Sequence, residues 1–210
     1  MGCRNNVYEG LLMSARCVRT FRQILLVLLA VMTGCGLFDT RAVKPGGGPG
    51  VPCATPNSPD DVVSNVVQNY ANLAGLTCYT SMLDPIFLFH PDGSDSNDAP
   101  PGTYLNWTRD VESRVSSNLA ADDTFGVAVL DSEYTSRVVV DTRTEIRFYN
   151  YHLVLRATRT QPDTLFRGLA DITFHEGVDQ RWRITDWVDK RDGSGARTWG
   201  YVRGLYRVGF

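Results

Sequence analysis

The side chains that could move protons in this chain are few. Asp186 shares phase with Trp182 and Ile184 if its strand is regular, which would aim a carboxylate into an apolar interior and raise its pKa. A bulge before Trp187 would instead return it to solvent. His90 ends a short apolar run and is a second acid–base candidate, whereas His152 alternates onto the less apolar face of its strand. Tyr79, Phe87, Phe89, Trp107, Tyr151 and Trp182 fall at core phase, and Tyr79, Trp107, Tyr151 and Trp182 are candidates to line a cavity for an apolar ligand. Asp92, Asp95 and Asp98 crowd oxygen ligands into one loop, but their spacing of three and the lack of a closing Glu read as a solvated loop rather than a calcium site. No zinc-ligand spacing, phosphate-binding loop or nucleophile elbow occurs, so no metal and no cofactor is expected.

Elements that would hold these groups begin at Ser58-Pro59-Asp60-Asp61, a helix start with a capping Ser, Pro at the first helical position and two acids at the positive end of the dipole. Val62, Val66, Tyr70 and Leu73 then recur on one face, and Gly75 is placed to close that helix. A short helix over Leu76–Leu83, a strand over Ile86–His90, a polar loop over Pro91–Pro101 and a helix over Leu105–Leu119 follow. After Asp122-Asp123 the period changes from four to two, predicting strands near 125–134, 144–159, 165–175 and 181–188. Helices first and long hairpin strands afterwards predict an α+β domain over 58–210, with N-terminal helices packed on a curved antiparallel sheet.

Ahead of that domain, Arg16, Arg19 and Arg22 precede a nine-residue apolar run, Ile24 to Met32, which suits a secretory signal and is too short for a membrane-spanning helix. Met32-Thr33-Gly34-Cys35 resembles the lipobox of bacterial lipoproteins. That resemblance implies removal of 1–34 and acylation of Cys35 by chains of the palmitate type. It also implies anchoring in the cell envelope, with Gly36 pointing to the periplasmic face of the outer membrane rather than the inner membrane. Met13 lies closer than Met1 to the usual start of such a signal, and the sequence leaves both starts open. Residues 35–57, rich in Gly and Pro, read as a tether. The processed chain would carry 17 basic against 22 acidic residues, which argues against nucleic acid as a partner. Processing would leave Cys53 and Cys78, either bridged in an oxidising compartment or as two separate thiols.

The order of elements, the Ser-Pro-Asp-Asp start, the junction Leu83-Asp84-Pro85-Ile86-Phe87-Leu88-Phe89, Trp107 with Glu112, and the ending Trp182-Arg183-Ile184 to Trp187-Val188-Asp189 resemble the NTF2-like, or SnoaL-like, superfamily. The resemblance implies a cone whose mouth lies between helices and the concave sheet face. It also implies functions ranging from isomerases, dehydratases and cyclases to non-catalytic adaptors, and frequent dimerisation through the convex sheet face. No catalytic pair of those enzymes matches residue by residue. The expectation is therefore a membrane-anchored binding domain for a small apolar molecule or an envelope protein. An acid–base enzyme using Asp186 or His90 is the alternative.

Overall fold

The computed structural model describes residues 52–70, 73, 76–122, 124–157 and 162–207. The signal segment, Cys35, most of the tether and the Gly75 cap lie outside the described residues.

Helix α1, Pro59–Tyr70, starts as its sequence dictates. The Asp61 amide donates to Ser58 Oγ at 3.2 Å, while the Asp61 carboxylate accepts from the Ser58 hydroxyl at 2.9 Å and the Asn57 amide at 3.1 Å. This reciprocal cap satisfies donors that a helix start leaves unpaired. Val62, Val66 and Tyr70 are buried on its inner face. Helix α2, Leu76–Ser81, buries Cys78 and Tyr79 and leads into strand β1, Leu83–His90. The stretch expected to be a polar loop contains a short helix, α3, Gly93–Asp98, capped by the Asp92 side chain on the Ser94 amide. Helix α4, Arg109–Ala121, begins four residues later than its apolar period suggested, and leaves Leu105 exposed in the turn before it.

Strands β2, Phe125–Asp141, β3, Thr144–Ala157, β4, Thr164–Glu176, and β5, Trp182–Lys190, pair in sequence as antiparallel neighbours. β1 joins β5 at the far edge in parallel, giving the order β1-β5-β4-β3-β2. The α+β architecture agrees with the sequence; the sheet is mixed rather than wholly antiparallel. That difference has a topological reason, because the chain crosses from β1 over α3 and α4 before the hairpins begin and β5 returns beside it. β2 runs seven residues beyond its expected end.

Alternation is regular along β3 and β4: Tyr149, Tyr151, Leu153 and Leu155, with Phe166, Ala170, Ile172 and Phe174, are all buried in the core beneath the helices. The same phase carries two charges inward near the β2–β3 turn, where buried Glu145 and Arg147 pair with each other and Arg147 reaches Asp60 on α1. On the opposite face Leu165 and Val138 are exposed, and Phe148, Val154, Leu169 and Val188 are half-buried.

The last element has no expectation from the sequence behind it. Helix α5, Trp199–Leu205, buries Trp199, Val202 and Arg203 in the concave side. Its glycines allow close seating: a Cβ on Gly200 would lie 2.9 Å from Asp189 Oδ2 and 3.1 Å from Phe89, and one on Gly204 would collide with the Tyr104 ring.

A disulfide joins Cys53 to Cys78, with Cα atoms 5.4 Å apart. The end of the tether is held beside it, since Asn65 on α1 donates to the Ala54 carbonyl at 2.8 Å and accepts from the Ala54 amide at 3.1 Å.

Candidate functional site

The bulge decides which carboxylate of β5 faces inward. Against β4, Asp186 pairs with Thr173 while Ile184 pairs with Phe174, so Thr185 is the extra residue and the phase shifts by one. Trp187 and Asp189 then point into the core with Ile184. Asp186 is left on the outer side, where its carboxylate lies 3.0 Å from Nε2 of His90 across the β1–β5 pair. Both side chains remain substantially exposed, at 32% and 54%. The structure thus brings the two sequence candidates together, but outside the cone, where no apolar wall excludes water from them.

Besides the Glu145–Arg147 pair, the described residues hold inward polar groups in two deeper clusters, which strand phase alone did not reveal. In the first, Glu112 from α4 and Arg203 from α5 form an ion pair at 2.9 Å, with both side chains almost wholly buried. Glu112 Oε1 also accepts from the Tyr79 hydroxyl at 2.5 Å, and Oε2 accepts from the Trp107 indole at 2.8 Å. The guanidinium donates to Tyr79 Oη at 3.1 Å and lies 4.3 to 4.4 Å from the ring centroids of Phe89, Trp187 and Trp199. Burial and the Glu112 charge push the Tyr79 hydroxyl well above its usual range, so it stays a neutral donor.

In the second cluster Asp189 accepts from the Tyr151 hydroxyl at 2.6 Å, from the Thr198 hydroxyl at 2.8 Å and from the Gly200 amide at 2.5 Å. Burial pushes its carboxyl up to about 6, against the opposing pull of Arg203 and these donors. Tyr151 Oη in turn accepts from the Trp199 amide at 2.8 Å. Thr198 Oγ1 also lies 2.5 Å from Oδ2 of buried Asp95 on α3, and Asp95 is held by Arg191 at 2.6 Å. One hydroxyl carries one hydrogen, so Thr198 donates to one of these two carboxyl groups at a time. Asp95, read from sequence as part of a solvated loop, is therefore a buried latch for the start of α5. Among the described residues no group of His, Cys, Asp and Glu side chains is arranged to hold a metal ion.

Of the four aromatic candidates for a ligand cavity, Tyr79, Trp107 and Tyr151 are buried and Trp182 is half-buried. Little space remains among them. The cavity between α1 and the concave sheet measures about 30 Å³ and is bounded by Val63, Val66, Leu130, Tyr151, Trp187 and Trp199. That is room for a water or two. Trp199 fills the rest, edge-on to Tyr70 and Trp187 with centroids 4.5 and 4.8 Å away, and its indole donates to Tyr70 Oη at 3.0 Å.

This arrangement of helices on a curved five-stranded sheet is similar to that of solved structures. A provisionally named scytalone dehydratase from Novosphingobium aromaticivorans DSM 12444 aligns at TM-score 0.50 and 11% identity, over 67% of this chain and 90% of its own. The fold is the NTF2-like cone. An NTF2-like superfamily protein from Salmonella enterica serovar Typhimurium LT2 aligns at TM-score 0.47 and 10% identity, over 64% and 89% of the two chains. A ketosteroid isomerase-like protein from Erwinia carotovora atroseptica SCRI1043 aligns at 0.48 and 9%, over 64% and 93%. No family model and no curated protein matches the sequence. At 11% identity the Novosphingobium likeness speaks for the fold alone. Among the described residues no helix is long and apolar enough to cross a membrane.

The sequence candidates missed Asp189, Glu112 and Arg203 as interior groups. Trp107 with Glu112 enters the family resemblance as a pair, and an Asp two residues after Trp187 is the available signal for Asp189 given the bulge. Arg203 had none, because a seven-residue helix with two glycines has no readable period.

Proposed function

We propose that this chain is a lipid-anchored protein of a bacterial cell envelope, held through acylated Cys35, whose NTF2-like domain binds a protein partner and performs no catalysis. The observation that carries the reading is the filled cone: Trp199 and Arg203 of α5 are buried in it, and the cavity left between α1 and the sheet measures about 30 Å³. With the interior taken, recognition falls to the outside. The open sheet face offers Leu165, Leu169, Val154 and Phe148, and a second copy of the chain is one partner that such a face could meet. The Cys53–Cys78 bridge suits an oxidising compartment outside the cytoplasm, and the lipobox-like Met32-Thr33-Gly34-Cys35 supplies the anchor.

Native mass spectrometry of the full chain, extracted from membranes in detergent, tests this reading. The expected species begins at an acylated Cys35, carries no small molecule in the cone and retains a protein partner or a second copy. A small molecule that leaves only on denaturation would overturn the filled cone. A chain starting at Met1 or Met13 with free Cys35 would overturn the anchor.

A second reading, an acid–base enzyme, is favoured by one observation, the buried Tyr151–Asp189 pair with its raised carboxyl pKa. It places the acid at Asp189 rather than Asp186, and it requires α5 to withdraw. Turnover in the purified chain that Asp189→Asn abolishes and Asp186→Asn leaves intact would establish it.

A further inference from the structure

The Glu112 cluster has the composition of a ligand site more than that of a core. Arg203 is 1% exposed, and three aromatic faces surround its guanidinium at 4.3 to 4.4 Å. A buried carboxylate and a neutral tyrosine hydroxyl meet its edge. Ring faces attract a cation through their quadrupoles, and a planar guanidinium stacks on them as an ammonium does not. Packing alone does not call for this arrangement, since a buried ion pair is commonly no more stable than apolar side chains of equal volume. Nor does the box fully satisfy its occupant: Nη1 of Arg203 is buried and has no hydrogen-bond partner among the described residues. The occupant sits on a seven-residue helix whose approach passes through Gly193 and Gly195, both at positive φ.

We propose that the inner end of the cone, built from Phe89, Trp187, Trp199, Glu112 and Tyr79, is a recognition site for a guanidinium group, and that Arg203 occupies it as an internal ligand. Its ligand class is a small guanidinium compound or an arginine-bearing segment. The tethered side chain competes at the effective concentration set by its own backbone, so an external guanidinium meets only the fraction of molecules in which α5 has lifted. This holds whatever the outer sheet face binds.

Arg203→Ala in the full chain empties the box, and methylguanidinium is the probe, with urea as the neutral group of like shape. The expected result is a saturable rise of several degrees in the Tm of the variant with methylguanidinium and none with urea. Wild type should respond roughly tenfold less, because its site is occupied. Adding Glu112→Gln to the variant should remove the response. A folded Arg203→Ala chain that gains nothing from methylguanidinium, or gains as much from urea, overturns the proposal. Should the variant fail to fold unaided, refolding yield replaces Tm as the readout. Recovery with methylguanidinium but not urea supports the site, and no selective recovery overturns it.

Discussion

Glu112 is the residue with the most to lose. It is wholly buried and accepts from Tyr79, Trp107 and Arg203, so Glu112→Ala would strand a buried guanidinium. Removing one partner of such a pair costs about 3–5 kcal/mol, and denaturant titration should show a loss of that size. Asp189 makes a prediction about pH. Its folded pKa of about 6 lies above the value near 3.9 of an unfolded Asp, so the native state holds this proton more tightly. The stability this contributes is complete below about pH 4 and is lost as pH rises through about 6, at most about 3 kcal/mol. The stability margin of wild type over Asp189→Asn, followed by thermal melts, should therefore shrink between those limits. A margin that grows with pH would mean that Tyr151, Thr198 and Gly200 hold the carboxylate ionised despite its burial.

Among the elements, α5 changes the meaning of the whole cone, and it was the one the sequence hid. α1 was legible because its cap, its proline and its valine spacing agree, and β3 and β4 because long strands half-covered by helices must alternate. β5 left two phases open, and the bulge before Trp187 decided between them: a bulge is a register event between two strands, so the pattern within one strand offered it only as an alternative. α3 and α5 are too short to build a period. They are held by buried contacts with distant residues, Asp95 with Arg191 and Thr198, and Arg203 with Glu112. The seating of α5 yields a further prediction. Gly→Ala in a helix ordinarily stabilises by about 1 kcal/mol, yet Gly204→Ala should destabilise, because the new methyl group meets the Tyr104 ring. Thermal denaturation of that single variant measures the sign. An increase in Tm would mean that the ring moves aside at little cost.

For the whole molecule, the fold was readable from the order of its elements, whereas the filled interior was not, because volume depends on how α5 docks from far along the chain. The anchor is a separate matter with its own test: Cys35→Ser should leave unprocessed precursor, and normal maturation would remove the lipobox reading. Reducing the Cys53–Cys78 bridge should lower stability by about 3 kcal/mol, as expected for a closed loop of this length, with Tm compared with and without reductant as the readout. The bridge also sets a path for force. Tension arriving along the chain ahead of Cys53 has a covalent path through the sulfur atoms to Cys78 that bypasses the segment 54–77. A protein pulled by its leash would then be tugged at α2, beside Tyr79 and the buried cluster, while its first helix lies off that covalent path and keeps its place by packing.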